Sequence, residues 1–293
     1  MTDLSSVRPL TPPPAGDVAL LRVFVDPSAS QTGGNPVPLV QDARGMSAAA
    51  MQALAAHHGH ESSFVFPADG PGALCRLRFF VPGHEMEMCG HATVGTLWAL
   101  RQWGHWTTPA AQVQTHSGIV DVQWDDARGW TWISQPAVTT RDLTPAETRA
   151  IAEVLRIDPA LPGLHAINAS TSRVKTLVRL PDAAALNALA PDFNAMRALC
   201  EALDSTGLYP YAVEGDDVYA RQFPKSSGYP EDAATGIAAA ALWGYLDRVG
   251  AVPKGRICTV RQGVAMGSPS AIQLRARTDA PGCWLSGETQ WMD

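Results

Sequence analysis

Glu61 stands just after a glycine-closed helical pattern, at the start of the strand-like run Ser62 to Phe66, and Glu231 and Asp232 stand just ahead of Thr235 and Gly236. A carboxylate at the start of a strand is held by the sheet, as general acid/base catalysis requires of the group that moves the proton. Such a base is weak near the ordinary glutamate value of about 4.3, and an apolar cleft and an anionic substrate both push it upward to a useful range. His91 follows Gly90 directly. At a helix amino terminus the imidazolium is disfavoured, so a neutral imidazole acting as hydrogen-bond donor is the functional expectation. The structural alternatives are a solvated acid at 61, a satisfied core histidine at 91 and an ordinary helix-start charge at 232.

Cys89-Gly90 and Thr235-Gly236 each place a small residue and then glycine at the start of a helical pattern. Unobstructed first-turn N–H groups at the positive end of a helix dipole hold an anion. A carboxylate suits them, because phosphate sites usually add a lysine or a longer glycine-rich loop. The alternative is that each glycine packs its helix against a strand.

The elements that must position these residues follow from periodicity. Met51, Leu54, Ala55 and His58 keep the i, i+3, i+4, i+7 rule and Gly59 sits at a C-cap, which predicts a helix over 47–58. Strands are expected over Val18 to Val25, Val37 to Val40, Phe64 to Phe66, Leu74 to Val81 and, with breaks at Gly118 and Gly129, Val113 to Trp132. The segment from Gly90 to Trp103, closed by Gly104, reads as a helix. The second half predicts helices near 144–155 and 194–203, strands around 164–180 and 207–223, and a second glycine-opened helix from 235. Laid over one another at an offset of 146, residues 89–104 and 235–250 match without a gap at Gly90/Gly236, Ala92/Ala238, Leu100/Leu246 and Gly104/Gly250. That offset is half the chain and points to a duplication. The expected fold is α+β: two pseudo-symmetric domains, each a curved, mostly antiparallel sheet around one central helix. The domains are set at 18–131 with about 280–293 and at 132–279, after a flexible leader over 1–17, with the active site in the cleft between them.

A chain of 293 residues, 46% hydrophobic and 17% charged, has the apolar material for packed cores. Its net charge of -6 gives no basic footprint for nucleic acid or an anionic membrane. Five cysteines without a Cys-x-x-Cys indicate neither a disulfide framework nor a zinc site and fit a reducing cytoplasm. No apolar run of about 18 residues occurs. His57, His58, His60 and Glu61 lack a metal-ligand spacing, and Gly-x-Gly-x-x-Gly, Walker-type and Gly-x-Ser-x-Gly patterns are missing from the sequence.

With these residues in place, the chain resembles the PhzF-like family, which is named for an isomerase of phenazine biosynthesis and shares the diaminopimelate epimerase fold. The resemblance rests on Gly34-Asn35-Pro36, Glu61-Ser62-Ser63-Phe64-Val65, Arg78-Phe79-Phe80-Val81-Pro82, Met88-Cys89-Gly90-His91-Ala92-Thr93, Arg221-Gln222-Phe223-Pro224, Glu231-Asp232-Ala233-Ala234-Thr235-Gly236 and Gln262-Gly263 with Met266-Gly267-Ser268-Pro269-Ser270. It implies that Glu61 is the proton-transferring glutamate, that His91 and Asp232 are its polar partners, and that the amides of Gly90 and Gly236 hold a substrate carboxylate. It also implies an isomerase without metal or organic cofactor and a homodimer. The family usually has serine where Ile237 stands. That departure makes one wall of the pocket apolar and opens the substrate to differ from the phenazine precursor.

Two-cysteine epimerases of this fold carry a thiol before each central helix. Here Cys89 precedes the first and Thr235 the second, so symmetric racemisation lacks one base. A single-cysteine epimerase or dehydratase of a hydroxy amino acid using Cys89, and a non-catalytic binding protein on the same fold, are the competing readings.

Overall fold

A computed structural model describes residues 11–29, 32–252 and 254–292. The described residues form two compact units, those within 1–23 with 36–133 and 286–293, and those within 24–35 with 134–285. Of the leader expected over 1–17, residues 1–10 lie outside the described residues; further along it, Gln41 Nε2 donates to the Pro13 carbonyl at 2.7 Å and the Gly16 N–H to that of Asp42 at 3.2 Å.

The first unit is built on strands β1 (Val18–Val25), β2 (Asn35–Val40), β3 (Ser62–Phe66), β4 (Arg76–Val81), β5 (His84–Met86), β6 (Ala110–Thr115), β7 (Gly118–Asp125) and β8 (Trp130–Gln135). β3 runs antiparallel to β4, and β6 to β7 and β7 to β8, while β2–β3 and β4–β6 are parallel. Helix α1 (Ala48–His58) starts where Ser47 Oγ accepts the Ala50 N–H and ends at Gly59, whose φ of 71° is a left-handed conformation that glycine adopts without strain. It buries Met51 and Ala55 against Val40, Phe64 and Phe80. The reversal at Gly59 delivers His60 and Glu61 directly onto the start of β3.

Helix α2 (Gly90–Gln102) is buried on nearly every side, from Gly90 through Leu97 and at Ala99 and Leu100. A helix buried on nearly every side lies inside a core, which makes α2 the central helix of its unit. Thr96 on it donates to Ser63 Oγ at 2.7 Å, with both groups fully buried, and this bond locks α2 against β3.

In the second unit β9 (Thr139–Asp142), β10 (His165–Ser170) and β11 (Val174–Arg179) form an antiparallel ladder. β11 continues in parallel to β12 (Gly207–Glu214), which pairs antiparallel with β13 (Asp217–Ala220) and β14 (Phe223–Pro224). β15 (Cys258–Gln262) lies parallel to β13 and antiparallel to β16 (Ser270–Ala276). β17 (Cys283–Ser286) follows, and β18 (Glu288–Trp291) closes the chain in the first unit.

Helices α3 (Pro145–Leu155) and α5 (Phe193–Ala202) bury Ile151, Leu155, Met196 and Leu199 against Val178, Leu208, Ala212 and Phe223 on one face of the strands. The short helix α4 (Ala183–Asn187), which periodicity did not announce, adds Leu186 to that layer. Helix α6 (Gly236–Arg248) is 13 residues long, as is α2, and buries Gly236, the alanines 238–241, Leu242, Trp243 and Leu246. The sequence repeat therefore marks two helices of equal length, each the buried helix of its own α+β unit.

Candidate active site

The residues singled out from the sequence fall into two groups, one in each unit. In the first unit Glu61 is half-buried at the start of β3, and His91, 6% exposed, is the second residue of α2. His60 registers both: burial lowers its imidazole below the ordinary range, the charge of Glu61 opposes this, and His91 and Arg22 add to it. Glu61, His91 and Arg22 thus lie within electrostatic reach of one ring, although residues 61 and 91 come from different elements.

Cys89 is buried, with its Sγ 3.5 Å from His91 Nδ1. No side chain caps the start of α2 at Cys89, whose carbonyl accepts the Thr93 N–H and hydroxyl at 3.0 and 2.7 Å.

In the second unit Asp232 and Thr235 form a closed hydrogen-bonded turn ahead of α6. Asp232 Oδ2 accepts the Thr235 hydroxyl at 2.5 Å, and Oδ1 accepts Asn35 Nδ2 at 2.8 Å. Asn35 Nδ2 also reaches the Ala234 carbonyl at 2.8 Å. Thr235 is the N-cap residue, yet its hydroxyl goes to Asp232 and no side chain caps the helix. Gly236 serves packing as well, since a Cβ there would meet Leu285 Cδ2 at 3.0 Å and the Phe24 ring at 3.4 Å. The packing reading of that glycine is thus the one its surroundings support. Ile237 is half-buried beside it.

Glu231, grouped with Asp232 by sequence, has a structural duty. Arg221 grips it with two bonds of 2.8 and 2.7 Å and donates also to the carbonyls of Leu186, Asn187 and Leu189. Arg78 grips Glu85 likewise at 2.6 and 2.7 Å. Both motif arginines are thus committed to holding strands and turns.

Residues that sequence reasoning left without a role complete the second group. Gln262 Nε2 donates to the Asp232 carbonyl at 2.6 Å and to Thr235 Oγ1 at 3.2 Å, while its Oε1 accepts the Tyr209 hydroxyl at 2.8 Å and the Thr235 N–H at 3.2 Å. Asn35 and Gln262 lie in pieces of the family pattern, which is the signal that could have marked them. Tyr209 and Lys175, inside strands, carry no such signal. Gln222, beside Asp232 across an isolated bridge, is 1% exposed, and its side-chain amide has no partner among the described residues. Among those residues no group of three or more His, Cys, Asp or Glu is arranged to hold a metal, and no helix is long and apolar enough to cross a membrane.

Each unit thus holds a central helix whose start no side chain caps, and a carboxylate, Glu61 in the first and Asp232 in the second. The first unit adds an imidazole and a thiol, and the second a neutral polar network around its aspartate. A base, hydrogen-bond donors and anion-holding amides are what a proton transfer next to a carboxylate needs.

Known proteins resemble this chain in sequence and in fold. An isomerase of Deinococcus radiodurans is 34% identical over 255 residues, covering 82% of this chain and 81% of that one. The trans-2,3-dihydro-3-hydroxyanthranilate isomerase of Pseudomonas aeruginosa is 30% identical over 269 residues, 87% of this chain and 89% of the relative. Among solved structures, a PhzF-family phenazine biosynthesis protein of Bacillus anthracis superposes with a TM-score of 0.80 at 23% identity, covering 94% of this chain and 96% of that one. A hydroxyproline epimerase of Agrobacterium vitis shares the fold at 0.58, with 12% identity over 94% of this chain and 90% of its own. The sequence pattern of the phenazine biosynthesis-like protein family matches residues 24–288; with that match and these relatives, the chain belongs to this family and is an isomerase.

Proposed function

We propose that the protein shifts a proton on a small carboxylated substrate without metal or organic cofactor, with Glu61 as the general acid/base. In this reading Glu61 takes a proton from one carbon of the substrate and returns it to another on the same face. Bonds and charge balance within the substrate, and no oxidant is consumed. His91 and Asp232 line the site as polar partners, and the Gly90 and Gly236 amides donate to the carboxylate. The observation that carries the reading is the location of Glu61: a carboxylate fixed between the Gly59 reversal and β3, in one electrostatic group with His91, in a chain whose family pattern spans residues 24–288. The isomerase of Pseudomonas aeruginosa gives the first compound to screen. Ile237 supports a substrate with an apolar edge where the usual serine would donate.

Glu61→Gln keeps the shape and removes the proton-carrying oxygen, so turnover should fall about 10²- to 10⁴-fold with folding and ligand binding nearly intact. Solvent-deuterium incorporation into the substrate, followed by NMR, is the assay. Exchange at the parent rate in Glu61→Gln refutes the assignment.

The Cys89 contact with His91 supports a second reading, in which the thiol is the base of an epimerase or dehydratase acting on a hydroxy amino acid. Cys89→Ser separates the two: thiol chemistry is lost, whereas exchange by Glu61 survives.

A further inference from the structure

The strands of the second unit have two distinct faces. Thr176 pairs with Leu208, and Leu208 with Phe223, and both apolar side chains pack on the layer that includes α3 and α5. By alternation Lys175, Gly207, Tyr209 and Gln222 turn to the other face. Lys175 is 6% exposed, Tyr209 fully buried and Gln222 nearly so. Gly207 makes the room, because a Cβ there would stand 2.3 Å from Gln222 Nε2 and 2.6 Å from the Phe223 carbonyl oxygen.

On this face the hydrogen-bond directions around Asp232 have one solution. The Asp232 carbonyl can only accept and the Thr235 N–H can only donate, which fixes the nitrogen and oxygen of the Gln262 side chain. The Gln262 nitrogen then donates to Thr235 Oγ1, and the single Thr235 hydroxyl proton goes to Asp232 Oδ2. The Tyr209 hydroxyl fills the remaining position on Gln262 Oε1. A protonated Asp232 would point its own proton at a hydroxyl whose proton then has lost its acceptor. Both Asp232 oxygens accept in this network, which is the pattern a carboxylate offers.

The charged groups agree. Buried Lys175 on β11, on the same strand face as Tyr209, lies within electrostatic reach of Asp232, whose charge favours its ammonium form, with Arg173 opposing and Cys200 on α5 adding to it. Burial pushes the Cys200 thiol up to about 11, which leaves it neutral at physiological pH. Tyr209 on β12 is held as a neutral phenol by burial and by the charge of Asp232. Glu231, one residue before Asp232, is neutralised by Arg221.

We propose that Lys175 and Gln262, the latter anchored by Tyr209, are positioning residues that hold Asp232 as a permanent carboxylate, so that Asp232 supplies fixed charge and a hydrogen-bond acceptor while the proton is carried elsewhere. This rests on the reading of Asp232 as a site residue, but its test needs no substrate and stands or falls separately from Glu61.

The carboxyl carbons of 13C-labelled aspartates are titrated by NMR in the full-length protein, with Asp232 assigned from its loss in Asp232→Asn. Lys175→Met should raise the midpoint of Asp232 by about one pH unit, and Lys175→Arg should restore it towards the parent value. Gln262→Met should raise it in the same direction by less, and Tyr209→Phe, which unties Gln262 without emptying its place, serves if Gln262→Met does not fold. A midpoint unmoved by Lys175→Met refutes the charge partner, and one unmoved by the Gln262 or Tyr209 change refutes the relay. Either result overturns the proposal. A structural role alone would alter stability and leave that midpoint in place.

Discussion

Lys175→Met offers a quantitative check on the buried ammonium, because the cost of that charge depends on pH in a known direction. Burial, opposed by the charge of Asp232, lowers the Lys175 ammonium from 10.5 to about 8. At 1.36 kcal/mol per pH unit, the charged form is disfavoured in the folded protein by about 3 kcal/mol, with no discount for solvent at 6% exposure. Below pH 8 lysine is protonated in both states and the fold bears the whole cost. Between pH 8 and 10.5 the unfolded chain binds more protons than the folded one, so stability rises with pH, and the gain is complete above 10.5. Lys175→Met has no such rise.

The stability difference, parent minus variant, should therefore climb by about 3 kcal/mol from pH 7 to pH 10.5, measured by urea unfolding across that range. The comparison must be made by difference, since other buried groups titrate here as well. Cys75 and Cys283, each raised to about 12, remove stability in both proteins as pH rises through their window. Parallel stability curves for parent and variant would refute the reasoning, and with it the view that Lys175 holds a buried, unscreened charge.

Two further outcomes follow from packing and pairing. Arg221 and Glu231 are 9% and 10% exposed, so Arg221→Ala strands a buried carboxylate and should cost about 3 to 5 kcal/mol in chemical denaturation, with most of it regained in the Arg221→Met, Glu231→Met double variant. Gly95→Ala puts a Cβ 2.6 Å from Val23 Cγ2 and should cost about 1 to 3 kcal/mol by overpacking; adding Val23→Ala should restore much of it in thermal unfolding.

What was legible in the sequence was local. The helix start near residue 47, the Gly59 reversal and the helix after Gly90 each follow from chemistry within one turn of chain, and the structure places them within a residue of expectation. The 146-residue repeat made α6 legible from α2. The network around Asp232 was not, because its bonds close over long separations: Asn35 to Asp232 spans 197 residues and Tyr209 to Gln262 spans 53. Nothing near Asn35 announces that its amide will hold Asp232. Lys175 misleads for a related reason, since a lysine in an otherwise alternating strand reads as the solvent face, and only the tertiary fold reveals that both faces of β11 are covered. Glu231 and Asp232 are neighbours of like charge, and only Glu231 is gripped by Arg221, whose reach is a property of the folded turn.

The helix starts give the site its clearest structural distinction. Ser47, Thr144, Asp182 and Asp192 each cap their helix through a side-chain oxygen, and Thr144 with Glu147 forms a full capping box. Each such cap contributes about 1 kcal/mol. The two central helices forgo it. Cys89 places a thiol at the cap of α2, and Thr235, an able capping residue, gives its hydroxyl to Asp232 instead. Among the described residues, four helices satisfy one or two first-turn amides through a side-chain cap, while the two opened by Gly90 and Gly236 leave that capping contact unmade. Local rules are broken in this way chiefly where function requires it. An amide left unbonded by its own cap can bond a carboxylate that arrives later, and the stability forgone at α2 and α6 is of the size one such hydrogen bond to an anion returns.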